Sequence, residues 1–155
     1  MDGSLGAVGR WPMSDTSFEY DESEWPIVRV VTPPGVVDDS EFARNFREMT
    51  SYLERRQPLV FVIELHSGTN LSVKQRDEIR RHEEQQRTLI AQFQRGIAIV
   101  THSTFQRAMI NAIFWLIRSP SPTQAFSDTE SAKVWARTLL GHRSLGSTES
   151  STAAS

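Results

Sequence analysis

Cysteine is absent from the 155 residues, which excludes disulfides, thiolate metal ligands and a cysteine nucleophile and leaves a reducing cytoplasm as the expected setting. Long hydrophobic runs are also lacking. The longest apolar stretches, 58–65 and 108–117, fall short of the ~20 residues a membrane-spanning helix needs. The chain does not open on a basic stretch followed by an apolar segment, so no signal peptide is expected. Nor is there an excess of one charge: 17 basic against 19 acidic residues give a net charge of −2. No overall field therefore favours nucleic acid as a partner.

What is present is 38% hydrophobic and 23% charged residues, material for one core in a single domain of ordinary size. Residues 1–14, opening MDGSLGAVGRWP, have no periodicity and read as a flexible leader, with Met13 as an alternative start. At the other end RSLGSTESSTAAS, 143–155, is small and polar and reads as a disordered tail. The domain is expected over 15–142.

Within those limits strand-like and helix-like patterns alternate. SFEY and WPIVRVV read as a short strand and a longer one, joined by the acidic turn DESE. Phe42, Phe46, Met49 and Leu53 recur at spacings of four, three and four, the signature of a helix face, behind capping residues Asp38, Asp39 and Ser40. PLVFVIEL is nearly all apolar and predicts a central strand covered on both sides. A charged helix is expected over 72–95, with Val73, Ile79, His82 or Glu83, Gln86, Leu89, Ile90 and Phe93 as a weaker helical stripe, ended by Gly96 and followed by the buried strand IAIVT. An apolar helix follows over 103–119, closed by Pro120 and Pro122; QAF gives a short last strand and SDTESAKVWARTLLGH a last helix. The order β-β-α-β-α-β-α-β-α, with right-handed crossovers, predicts an α/β fold: one open mixed sheet of four to five strands packed with about four helices.

The loop HSGTNLS, His66 to Ser72, follows the central strand, where open α/β sheets tend to place ligands. Ser67 beside His66 hints at a nucleophile and base, but adjacent side chains seldom aim at each other and no third orienting group is nearby. Ser72 with Gln75 three residues on is a capping-box pattern, and Gly68 and Asn70 suit a tight turn. A phosphate on Ser67, Thr69 or Ser72 would be tolerated at the helix start. His82, Glu83 and Glu84 point in different directions on a helix and do not make a metal site; a solvated face is expected there. In the apolar helix, Phe105, Met109, Ala112, Ile113 and Leu116 form a stripe widened by Ile110, Phe114 and Ile117, most of it assigned to the core. The surplus at Phe114, Trp115 and Ile117 is the candidate interface.

Taken together, WPIVRVVTPPGVVDDSEF, PLVFVIEL, GIAIVTHSTFQRAMINAIFWL and QAFSDTESAKVWA, covering about 18–140, resemble the SpoIIAA-like superfamily, which includes the STAS domains of sulfate transporters and anti-sigma-factor antagonists. The resemblance implies a noncatalytic domain acting through protein contacts, in some members controlled by serine phosphorylation at the helix after the central strand. This chain departs there: HSGTNLS lacks the Asp-Ser-Ser core, and Ser67 or Ser72 is the nearest positional match.

The expected function is thus a cytoplasmic, bacterial-type regulatory or scaffolding adaptor, a homodimer in one version. It has no catalytic residue, metal or cofactor, and contacts an unidentified protein partner through the His66–Ser72 loop and the apolar helix. The alternative is a carrier of a small apolar ligand or lipid, as in the loosely similar CRAL-TRIO proteins; a cavity between the apolar helix and the sheet would favour it. A hydrolase using Ser67 with His66, His82 or His102 is the third reading.

Overall fold

A computed structural model describes residues 17–66 and 71–154, with side chains as far as 141. The strands are β1 (Glu19–Glu24), β2 (Ile27–Val31), β3 (Leu59–Glu64), β4 (Gln94–Val100) and β5 (Thr123–Phe126). The helices are α1 (Asp39–Leu53), α2 (Val73–Gln85), α3 (Arg87–Phe93), α4 (Thr104–Ile117) and α5 (Thr129–Ala154). They make an α/β fold on one mixed sheet, in the spatial order β1-β2-β3-β4-β5. β1 runs antiparallel to β2, and every later pair is parallel.

That order dictates the layers. When each parallel strand lies beside its predecessor, right-handed crossovers put all the connecting helices on one face. Accordingly Val28, Val30, Leu59, Phe61, Ile97 and Ile99 point toward α1–α4 and form the larger core with Met49, Leu53, Ile90 and Ile110. Alternation along the strands sends Ile27, Val60, Val62, Ala98 and Val100 to the opposite face, where α5 covers them with Ala132 and Ala136. β3 sits in the middle, and Leu59 through Val62 are fully buried, as a strand covered on both sides requires.

α5 approaches the sheet closely at Gly96: a Cβ there would lie 2.6 Å from Leu139 Cδ1 and 3.0 Å from the Trp135 ring. A polar cluster ties down its start. Arg29 donates twice to the Glu64 carboxylate, at 2.6 and 2.9 Å, and Thr129 donates to the same group at 2.7 Å. Burial pushes the Glu64 carboxyl up, but these donors prevail and its pKa lies below the ordinary value.

Three sequence expectations change. DESE is not the hairpin turn but part of β1; the chain reverses at Trp25–Pro26, with the Trp25 N–H donating to the Glu22 carbonyl. An edge strand tolerates this run because its acids take cations: Arg55 at 2.9 Å from Glu22 and Lys133 at 2.6 Å from Glu24. The expected helix over 72–95 is two, since Gln86, at φ −104° and ψ 18°, leaves the helical region, giving five helices among the described residues. β4 begins at Gln94, before Gly96, because Gln94 and Gly96 already pair with Leu59 and Val60 across a bulge. The leader expected over 1–14 lies outside the described residues, and the backbone of α5 continues through 143–154.

Candidate functional site

The segment after β3 is held by its neighbours. The His66 N–H donates to Thr32 Oγ1 at 3.3 Å, and Thr32 Oγ1 donates to the Glu64 carbonyl at 3.1 Å. The His66 side chain is exposed. Ser67, Gly68, Thr69 and Asn70 lie outside the described residues. Ser72 is the N-cap of α2: its Oγ accepts from the Gln75 N–H at 3.0 Å, and Gln75 Oε1 accepts from the Ser72 N–H at 3.1 Å. This completes the capping box that the Ser72–Gln75 spacing predicts. Gln75 also anchors α2 to the loop before α1, donating to the Val37 carbonyl at 2.6 Å.

α4 presents a different face from the one its hydrophobicity suggests. Its start is fixed by Ser103, whose Oγ accepts from the Gln106 N–H at 3.1 Å, and by a hydrogen bond between Thr101 Oγ1 and Gln106 Oε1. These bonds draw Gln106 inward and set the phase of the helix. Gln106 and Ile110 are buried; Ile113, Phe114 and Ile117 are half-buried beside them. Phe105 and Leu116, expected in the core, are instead 77% and 72% exposed, next to Trp115 at 76%. Of the candidate interface residues, Trp115 is on the surface, while Phe114 and Ile117 pack against the core. Sequence reasoning missed Phe105 and Leu116 because apolar residues line both sides of this helix and a polar one, Gln106, marks the buried side.

Between α1, α2, α4 and the sheet lies a cavity of ≈ 80 Å³. Its walls are apolar, with Phe46 from α1, Ile79 from α2, Ile63 and Ile99 from the sheet, and Ile110 and Phe114 from α4. Several polar groups at its edge are satisfied: Asn45 Oδ1 accepts from the Tyr20 hydroxyl at 2.6 Å, and Thr32 is engaged as above. Two atoms are not. His82 Nε2 and Glu83 Oε1 are buried without a hydrogen-bond partner among the described residues, and both side chains line the cavity. His82 stacks on Phe46 with ring centroids 4.5 Å apart, and burial pulls its pKa down to about 4. Burial also raises the Glu83 carboxyl, against opposing effects of a Ser119 hydrogen bond and the nearby Arg87. The expectation that His82 and Glu83 sit on a solvated face is thereby corrected: they are 6% and 2% exposed. In α2 the solvated charges are Asp77, Arg80, Arg81 and Glu84, joined by ion pairs of 2.7–3.4 Å.

Of the candidate histidines, His82 is buried on α2, His66 follows β3, and His102 follows β4 near Asp128. Among the described residues no group of three or more His, Asp or Glu side chains is placed to hold a metal ion. No helix among them is long and apolar enough to cross a membrane.

No family model matches the chain, and no curated protein matches it either. Among solved structures, it is similar to an uncharacterised protein of the DUF3478 family from Shewanella loihica PV-4, which has a SpoIIAA-like fold. The TM-score is 0.59 at 14% identity, over 77% of this chain and 92% of the other. The five-stranded mixed sheet with its helices is thus the SpoIIAA-like fold expected from the sequence.

Proposed function

We propose that the chain is a noncatalytic, STAS-like protein-interaction domain over 15–142, acting in the cytoplasm of a bacterial-type cell as a regulatory or scaffolding adaptor. The observation that carries this reading is the outer face of α4. Phe105, Trp115 and Leu116 are each more than two-thirds exposed there. Exposed Ala108 and Ala112 lie between these large side chains at helical spacing, so a partner can approach closely between two bulky ends. Scattered single apolar residues need no explanation, but three large ones aligned on one helix mark a contact surface. The segment from His66 to Ser72 at the start of α2 is the second contact region, and Ser67 and Ser72 are its candidate phosphorylation sites. Self-association through α4 is one form the interaction takes.

The full chain and its Trp115→Glu variant should therefore differ in association but not in stability, because a mostly exposed side chain contributes little to the fold. Sedimentation at high protein concentration reads self-association, and paired pull-downs with mass spectrometry read other partners. The reading fails if the wild type stays monomeric and every protein it retains is retained equally by the variant.

A further inference from the structure

His82 and Glu83 are buried by more than nine-tenths, yet each has a polar atom with no partner among the described residues, at the wall of a cavity of ≈ 80 Å³. Native interiors leave few polar groups in that condition, and each one calls for a physical explanation, a bound molecule among them. We propose that this cavity is a binding site for a small uncharged molecule with a compact apolar body and one hydroxyl group, the hydroxyl meeting His82 Nε2 and Glu83 Oε1. The proposal does not rest on the exposed face of α4.

The chemistry follows from the walls. A hydroxyl both donates and accepts, so it suits the tautomer in which His82 Nε2–H donates to the hydroxyl oxygen while the hydroxyl donates to Glu83 Oε1. A carboxylate head would oppose Glu83. An ammonium head would lose its hydration among Ile63, Ile99, Ile110 and Phe114. Those side chains offer the rest of the ligand only dispersion and burial. The volume is roughly half that of the ~150 Å³ apolar cavity known to take up the six carbons of benzene, which points to about three heavy atoms, the size of ethanol. A water could meet the same two atoms, but it would leave the apolar remainder of the cavity unfilled, which an alcohol's hydrocarbon part occupies.

The test is an NMR titration of the full chain, labelled at isoleucine methyls and histidine nitrogens, with ethanol, acetate and ethylamine. Ethanol should give saturable shifts at the Ile99 and Ile110 methyls and at the His82 nitrogens, with the two charged analogues at least tenfold weaker. Ile113→Phe, which fills the cavity, should abolish the response. His82→Phe, which keeps an aromatic ring against Phe46, should weaken it about fivefold, the loss of one neutral hydrogen bond. The wild-type titration decides by itself if a variant does not fold. Absence of saturable shifts, acetate binding as tightly as ethanol, or an undiminished response in Ile113→Phe would each overturn the proposal.

Discussion

Truncating Ile110 and Leu116 to alanine, one at a time, separates the two apolar sides of α4. Ile110 is 4% exposed within the main core and Leu116 is 72% exposed. Ile110→Ala removes three carbons, worth about 2.4 kcal/mol at ~0.8 kcal/mol per buried methylene. It also leaves a void beside the existing cavity, and a site bounded by a rigid sheet collapses poorly. The total should fall in the middle of the ~2–5 kcal/mol range for such truncations, at about 3–4 kcal/mol. For a chain of this length ~1 kcal/mol moves Tm by about 2–4 °C, so a drop of roughly 6–16 °C is expected. Leu116→Ala should stay within about 0.5 kcal/mol of wild type. Urea unfolding followed by circular dichroism gives both values, with an unchanged m-value as the check on two-state behaviour. If Leu116→Ala costs more than ~2 kcal/mol while Ile110→Ala costs less than ~1 kcal/mol, the helix is phased as hydrophobicity alone suggests, and the exposed contact surface does not exist.

Two further predictions bear on other parts of the fold. Burial holds His82 neutral with a pKa of about 4, below its ordinary 6.5, so between those values the unfolded chain binds the extra proton. Stability should therefore fall as pH drops from 6.5 toward 4, by on the order of 3 kcal/mol from this group, and His82→Phe should flatten that part of the unfolding profile; an unaltered slope would show that His82 is not sealed. Gly96→Ala gains a little from a stiffer unfolded chain but drives a methyl into Leu139 and the Trp135 ring, for a net loss of about 1–2 kcal/mol. Leu139→Ala in the same chain should recover part of that loss in a double-mutant cycle, and strict additivity would refute the close approach of α5.

Much of the fold was legible because its signals are local. The unbroken apolar run at Leu59–Val62 announced a strand covered on both faces. Phe42, Met49 and Leu53 announced the face of α1, and Ser72 with Gln75 announced the cap of α2. β1 was harder to read, since its acids look like a turn until Arg55 and Lys133 arrive from distant helices. Gln86 gave no local sign that the long charged helix would break there.

By itself, then, the sequence determined the alternation of strands and helices and, through the handedness of crossovers, an open mixed sheet packed with helices, because periodicity and capping act within a few residues. The tertiary structure alone decided which side of α4 faces water, since that depends on Thr101 at the end of β4 drawing Gln106 inward. It also decided that His82 and Glu83, two polar residues in a charged stretch of helix, lie beneath α2 against a cavity rather than in solvent. Burial of an apolar run or stripe can be read locally, whereas burial of a polar residue depends on what packs on it from elsewhere in the chain.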